Sequence, residues 1–164
     1  MRLVEQTEWN DCGAACLATV TGEPLAAVKR VVDVPTTHGQ LEAYLDAHPV
    51  ANDHVTVRGR PTVRALARRR RPFVHEGPFE RRTLVLSVAS PAPEIDWHAV
   101  VYHRGEVLDP QRWFDAARLH RSRCIWATEV YPGATVGGVA SSADAGVGVE
   151  TRRPSGDDAR STAD

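Results

Sequence analysis

Apolar side chains in the first third of the chain recur at helical intervals. Gly13–Thr21 is rich in Ala and Leu and is followed by Gly22, a residue suited to a left-handed helix stop. The segment is apolar on most sides, which predicts a buried helix. Pro24 opens a second helical segment, Leu25–Asp33, in which Leu25, Val28 and Val32 share a face. Thr37 and Gln40 have the spacing of a capping box ahead of Leu41, Tyr44 and Leu45. A weaker fourth helix is predicted over Thr62–Arg71, with Val63, Leu66 and Ala67 facing inward.

The pattern then changes to that of strands. Thr83–Ala89 is a near-continuous apolar run, and Cys124–Tyr131 supplies another strand. Trp97–His103 and Glu106–Asp109 flank Arg104-Gly105, a two-residue hairpin signal. Helices first and antiparallel strands second predict an α+β domain, with N-terminal helices packed on a C-terminal antiparallel sheet as two layers. The stretch from Asn52 to Arg82 carries no recognisable motif and is a candidate contributor to a cleft.

Composition narrows the classes of function. The chain has 164 residues, 42% of them hydrophobic, and a formal net charge of −1. That is one domain's length with enough apolar mass for a core. Twenty Lys and Arg against 21 Asp and Glu argue against a nucleic-acid binder that works by bulk electrostatics. No window approaches the roughly 18–20 continuous apolar residues of a membrane span. The opening MRLVEQTEWNDC lacks a secretory apolar core, so the expected location is a reducing cytoplasm. After Pro132 the composition shifts: residues 133–164 contain no Leu, Ile or aromatic residue. They predict a disordered tail beyond a folded domain at residues 1–132.

Three cysteines, Cys12, Cys16 and Cys124, cannot form an even disulfide framework, and a reactive cysteine with a distant histidine becomes a pattern to test. Cys12 falls at the predicted start of the first helix, where unpaired N–H groups favour a thiolate. Gly13 beside it leaves the sulfur uncrowded on that side. The plain alternative is a small apolar residue of a buried helix, as Cys16 is read to be. Six residues before Cys12 stands Gln6, whose amide can donate to an oxyanion together with the Cys12 N–H. In the hairpin, a two-residue turn pairs His103 with Glu106 and His98 with Gln111. Asp109 then lies on the face of His98 as a diagonal neighbour, roughly 7–8 Å away between backbones and within reach to orient the imidazole. Asp96 is the competing orienter. The plain alternative is a solvated hairpin side on which His98, Asp109 and Asp96 are all wet. Taken together, the residues supply a nucleophile, a base, an orienting acid and an oxyanion donor, the logic of a triad with cysteine in place of serine.

Gln6 followed by Asp11-Cys12-Gly13-Ala14-Ala15-Cys16-Leu17-Ala18 resembles the opening of bacteriocin-processing cysteine peptidases, papain-like domains that remove leader peptides ending in double glycine. Trp97-His98-Ala99-Val100-Val101 and Val107-Leu108-Asp109-Pro110 resemble the family's His strand and Asp-Pro turn. The resemblance implies a papain-like fold with Cys12 as nucleophile, His98 as general base, Asp109 as its orienter and Gln6 as oxyanion donor. It implies a peptide or protein substrate and neither metal nor cofactor. Cys16 matches a position that is often a second, structural cysteine. Trp97 stands where the family commonly has Gly, and no transporter span or nucleotide-binding cassette follows in this chain. Papain-like folds also serve amidases and acyl transferases, and a catalytically silent peptide-binding module is the alternative outside enzymes.

Three weaker signals remain. Arg68–Arg71 reads as the solvated end of a helix or, alternatively, as a site for an acidic partner. Cys12 and Cys16 have a spacing allowed for a zinc pair, but the second pair is missing. Trp97, Trp113 and Trp126 read as core or cleft-wall aromatics, and Trp97 is placed to cover the His98 imidazole from water.

Overall fold

The computed structural model describes residues 1–69, 73 and 77–135. Arg70 and Arg71, at the end of the fourth expected helix, and residues 136–164 of the expected tail lie outside them.

The first helix, α1 (Cys12–Thr21), is buried along nearly its whole length. Ala14, Ala15, Cys16, Leu17 and Ala18 have no exposed surface, and small side chains on several sides let other elements approach the helix closely. Gly22 ends it at φ 79°, its N–H donating to the Ala18 carbonyl. Gly13 is required by packing: a Cβ there would stand 2.9 Å from the Thr36 Cβ. The buried Thr19 hydroxyl accepts from Val4 N–H at 2.9 Å and ties the N-terminal segment to the helix.

The second helix is shorter than its apolar spacing predicts. The α-helical part, α2, covers Leu25–Val28. The chain then tightens, with Arg30 N–H bonding to Ala27 and Val31 N–H to Val28, three residues back. Val28, Val31 and Val32 are β-branched and weak helix formers, which explains the early end. Helix α3 (His38–Ala47) starts with the expected capping box: Thr37 Oγ1 accepts from Gln40 N–H, and Gln40 Oε1 accepts from Thr37 N–H.

Among the described residues, five strands form one antiparallel sheet in the order β1-β5-β2-β3-β4. They are β1 (Val50–Val55), β2 (Thr83–Ala89), β3 (Trp97–His103), β4 (Glu106–Leu108) and β5 (Cys124–Thr135). The last runs three residues past the compositional break at Pro132. The β3–β4 turn has Arg104 at φ 50° and Gly105 at φ 93°, and it pairs His103 with Glu106. Strand β1 runs into the start of the stretch that carries no motif. Asn52, Asp53 and His54 are poor strand formers, and the strand is held by pairing with β5, including a Tyr131 hydroxyl that donates to Asp53 Oδ2 at 2.7 Å.

The sheet is covered on both faces, giving three layers rather than the expected two. On one face Val85, Ala99 and Val101 pack with α1 and α3 residues. On the other, Leu84, Leu86, Val100 and Tyr102 pack with Val63 and Leu66 of α4 (Val63–Ala67) and Leu119 of α5 (Ala116–Arg121). Burial from both sides explains why β2 reads as a continuous apolar run instead of an alternating one.

Gly→Ala in an exposed helix stabilises. At Gly13 the contact with Thr36 reverses the sign, and Gly13→Ala is expected to cost about 1–3 kcal/mol. Urea unfolding checks this; an unchanged or higher midpoint would show that α1 has room against Thr36.

Candidate active site

Cys12 is the first residue of α1, so its backbone N–H and those of Gly13 and Ala14 have no partner within the helix. Asp11 occupies the N-cap position without capping them. His98 lies near the start of β3, beyond the point where β4 ends at Leu108. Strand pairing does not extend to His98 and Gln111 as the hairpin arithmetic predicts. Pro110 has no N–H for the ladder, and the Asp109 side chain turns the chain instead. Asp109 Oδ1 accepts from Gln111 N–H at 2.9 Å, and Oδ2 accepts from Phe114 N–H at 2.8 Å. Those two backbone bonds aim the carboxylate at His98, whose Nε2 is 2.6 Å from Oδ1.

His98 is 1% exposed and Asp109 3%, so the hairpin side is not solvated. Asp96 is exposed and does not orient His98. The imidazole is covered by Trp113, 4.8 Å between ring centres, and by Phe114 at 6.0 Å. Trp97, expected in that role, instead packs on His38.

The Cys12 side chain also acts on His98 and favours its charged form. Burial pulls the imidazole pKa down, but the bonds to Asp109 and Cys12 outweigh it and push it up to about 9. Burial likewise raises Asp109, and the His98 bond with the two backbone donors reverses this, holding the carboxyl below its ordinary value. Cys16, one helical turn from Cys12, is fully buried, and burial raises its thiol well above the usual range. Burial pushes Cys124 up to about 12. Of the three cysteines, Cys12 is the one partnered by an imidazole.

The structure does not bring the Gln6 amide to Cys12 as a free donor. Gln6 Nε2 donates to the Glu8 carbonyl at 2.7 Å and to the Trp9 carbonyl at 3.1 Å. The Gln6 backbone N–H reaches the Pro110 carbonyl at 3.5 Å, joining the loop before Cys12 to the turn that carries Asp109.

Asp11 and Lys29, which motif reading did not assign, hold that loop. Asp11 is fully buried, and its Oδ2 accepts from Thr7 N–H, Thr7 Oγ1, Glu8 N–H and Lys29 Nζ, the last at 3.2 Å. Lys29 also bonds Glu8 at 2.6 Å, which with Asp11 raises its pKa. In the sequence Asp11 stands only as the first residue of the motif around Cys12, and the lysine is 18 residues away, beyond any local pattern.

A cleft of ≈420 Å³ opens at Cys12, walled by Trp9, Pro35, Ile95 and Trp97. Among the described residues, no group of three or more His, Cys, Asp or Glu side chains is arranged to hold a metal ion, and no helix is long and apolar enough to cross a membrane. No family model, curated protein or solved structure matches the chain.

The raised His98 pKa sets a stability profile. Its contribution is fully present below the ordinary value of 6.5 and is lost as pH rises through about 9. Asp109 contributes above its ordinary value of 3.8 and loses that contribution as pH falls through its lowered folded value. The difference in thermal midpoint between wild type and His98→Gln is therefore expected to hold steady up to about pH 6.5 and to shrink up to about pH 9. A difference independent of pH across this range would contradict the charged pair.

Proposed function

We propose that this chain is a papain-like thiol hydrolase of the bacteriocin-processing type, a cysteine peptidase acting on a peptide or protein substrate. The observation that carries the reading is the buried His98 imidazole, bonded through Nε2 to Asp109 at 2.6 Å, with the Cys12 side chain also favouring its charged form. In this mechanism His98 takes the Cys12 proton, and Asp109 stabilises the imidazolium and fixes the ring. The thiolate attacks the substrate carbonyl, forming a C–S bond and a tetrahedral oxyanion. The Cys12 N–H at the start of α1 is one donor to that oxyanion. Collapse of the intermediate breaks the C–N bond, and the His98 proton goes to the leaving amine. Water, deprotonated by His98, then releases the acyl group from sulfur.

Gln6 is the second oxyanion donor in this proposal, and it must release one carbonyl to act. The bond to Trp9 is the longer of the two and is the one to exchange. The same engaged amide favours a second reading, a peptide-binding module that holds a chain at the cleft without cleaving it.

Turnover separates the two readings. Peptide mixtures incubated with the protein and followed by mass spectrometry are expected to show cleavage that Cys12→Ala abolishes. Gln6→Ala is expected to lower the rate about 10²–10³-fold. Cleavage that survives Cys12→Ala removes the thiol mechanism. Binding without cleavage by the wild type leaves the module.

A further inference from the structure

The helical layer on the far side of the sheet from α1 carries charge of nearly one sign. The stretches 56–69 and 115–123 supply α4, α5 and the chain beside them, and they contain eight arginines against one carboxylate, Asp115. The whole chain, by contrast, has a formal net charge of −1. All eight arginines are exposed. Backbone contacts join the two stretches into one surface. Cys124 N–H donates to the Pro61 carbonyl at 2.8 Å, Val63 N–H to the Ser122 carbonyl at 3.0 Å, and the Arg123 guanidinium to the Arg60 carbonyl at 3.2 Å. Val63, Leu66 and Leu119 pack into the core beneath it, which leaves Arg64, Arg68 and Arg121 on the solvent side. The short Phe79–Arg81 turn on the same face adds one charge of each sign, Glu80 and Arg81. No ion pair among the described residues includes any of the eight arginines. Like charges this close repel one another, so the face stands ready for an extended anionic partner.

We infer that this arginine face docks the protein on the surface of an anionic phospholipid bilayer. The inference goes beyond the thiol-hydrolase reading and does not rest on it. The guanidinium fork matches phosphate oxygens, and lipid headgroups move laterally to meet arginines held at fixed positions. The exposed large hydrophobic residues among those described are Met1, Trp9 and Val31, and none lies on this face. The face therefore has no stacking platform for single-stranded nucleic acid and no aromatic anchor for a protein interface. Helices α4 and α5, of five and six residues, lie against the sheet and are too short to enter a DNA groove. The cleft at Cys12 is walled from the other side of the sheet, by the starts of α1 and α3 and the segment before β3. A protein adsorbed through the arginines keeps that cleft open to solution.

The test is sedimentation of the full chain with two kinds of vesicle, phosphatidylcholine alone and phosphatidylcholine with an equal part of phosphatidylglycerol. Binding to the anionic vesicles and not to the neutral ones is expected, and it weakens as salt is raised. Each arginine near an anionic surface contributes about fivefold in affinity. Arg64→Gln, Arg68→Gln, Arg69→Gln and Arg121→Gln together are therefore expected to weaken binding about 10²–10³-fold. Circular dichroism and the rate of Cys12 modification check that this variant keeps the fold. Should it not fold, the pair Arg64→Gln, Arg121→Gln takes its place, with an expected loss of about 25-fold. Equal binding to the two kinds of vesicle, or binding to neither, overturns the inference. Binding to anionic vesicles that survives the substitutions overturns the role of this face. Duplex DNA or polyglutamate bound more tightly than anionic vesicles, at equal concentration of charge, makes the partner a nucleic acid or an acidic protein and overturns the lipid assignment.

Discussion

The bond between His98 Nε2 and Asp109 Oδ1, 2.6 Å long and almost fully sealed from water, is the constraint on which the rest of the site depends. A buried imidazolium and carboxylate lose their hydration, and such a pair persists only where its remaining bonding capacity is met. Asp109 meets that condition with the backbone N–H groups of Gln111 and Phe114, and those same bonds form the turn that follows β4. Trp113 and Phe114, brought back over the imidazole by this turn, exclude water from it. One carboxylate thus terminates a strand, folds the next loop and orients the ring.

The other half of the site is built by helix burial. Small side chains allow α1 to lie deep in the protein, in contact with Thr36 at Gly13, with its first residue, Cys12, opening onto the cleft. The loop before it is fastened at two points: Asp11 and Lys29 on one side, and the Pro110 turn on the other. Nucleophile and base therefore come from distant parts of the sequence, and the loop that meets the Asp109–Pro110 turn carries Gln6. In its observed arrangement Gln6 braces that loop through the Glu8 and Trp9 carbonyls.

Much of this was legible in the chain because it is encoded locally. The Arg104-Gly105 turn sets the hairpin register as far as Val101 and Leu108, so counting brings Asp109 toward the His98 side, and the backbone bonds to its carboxylate complete the contact. The capping box at Thr37 and the stop at Gly22 are likewise local signals. What escaped was non-local. Strand β1 has no strand-forming pattern of its own and exists through its pairing with β5. Helix α4 was readable from Val63, Leu66 and Ala67, but not its place on the far face of the sheet, and α5, six residues long, is too short for a clear period. Val28, Val31 and Val32 kept helical spacing while their branched side chains ended the helix. Gln6 was placed in the correct loop, but spacing does not reveal that neighbouring carbonyls take up its amide. Asp96, the competing orienter, lies on the cleft, as does Trp97, which fits its reading as a cleft-wall aromatic and not the further one as a cover for His98; the turn after Asp109 supplies both orienter and cover.

The central claim is that Cys12, His98 and Asp109 behave as one coupled unit. It is tested most directly by the rate of iodoacetamide modification of Cys12 as a function of pH, in the wild type and in His98→Ala. With the imidazole pushed up to about 9 beside the thiol, the account predicts a reactive plateau that persists on the acid side of neutrality and disappears in the variant. A single ordinary thiol titration, the same in both proteins, would contradict it.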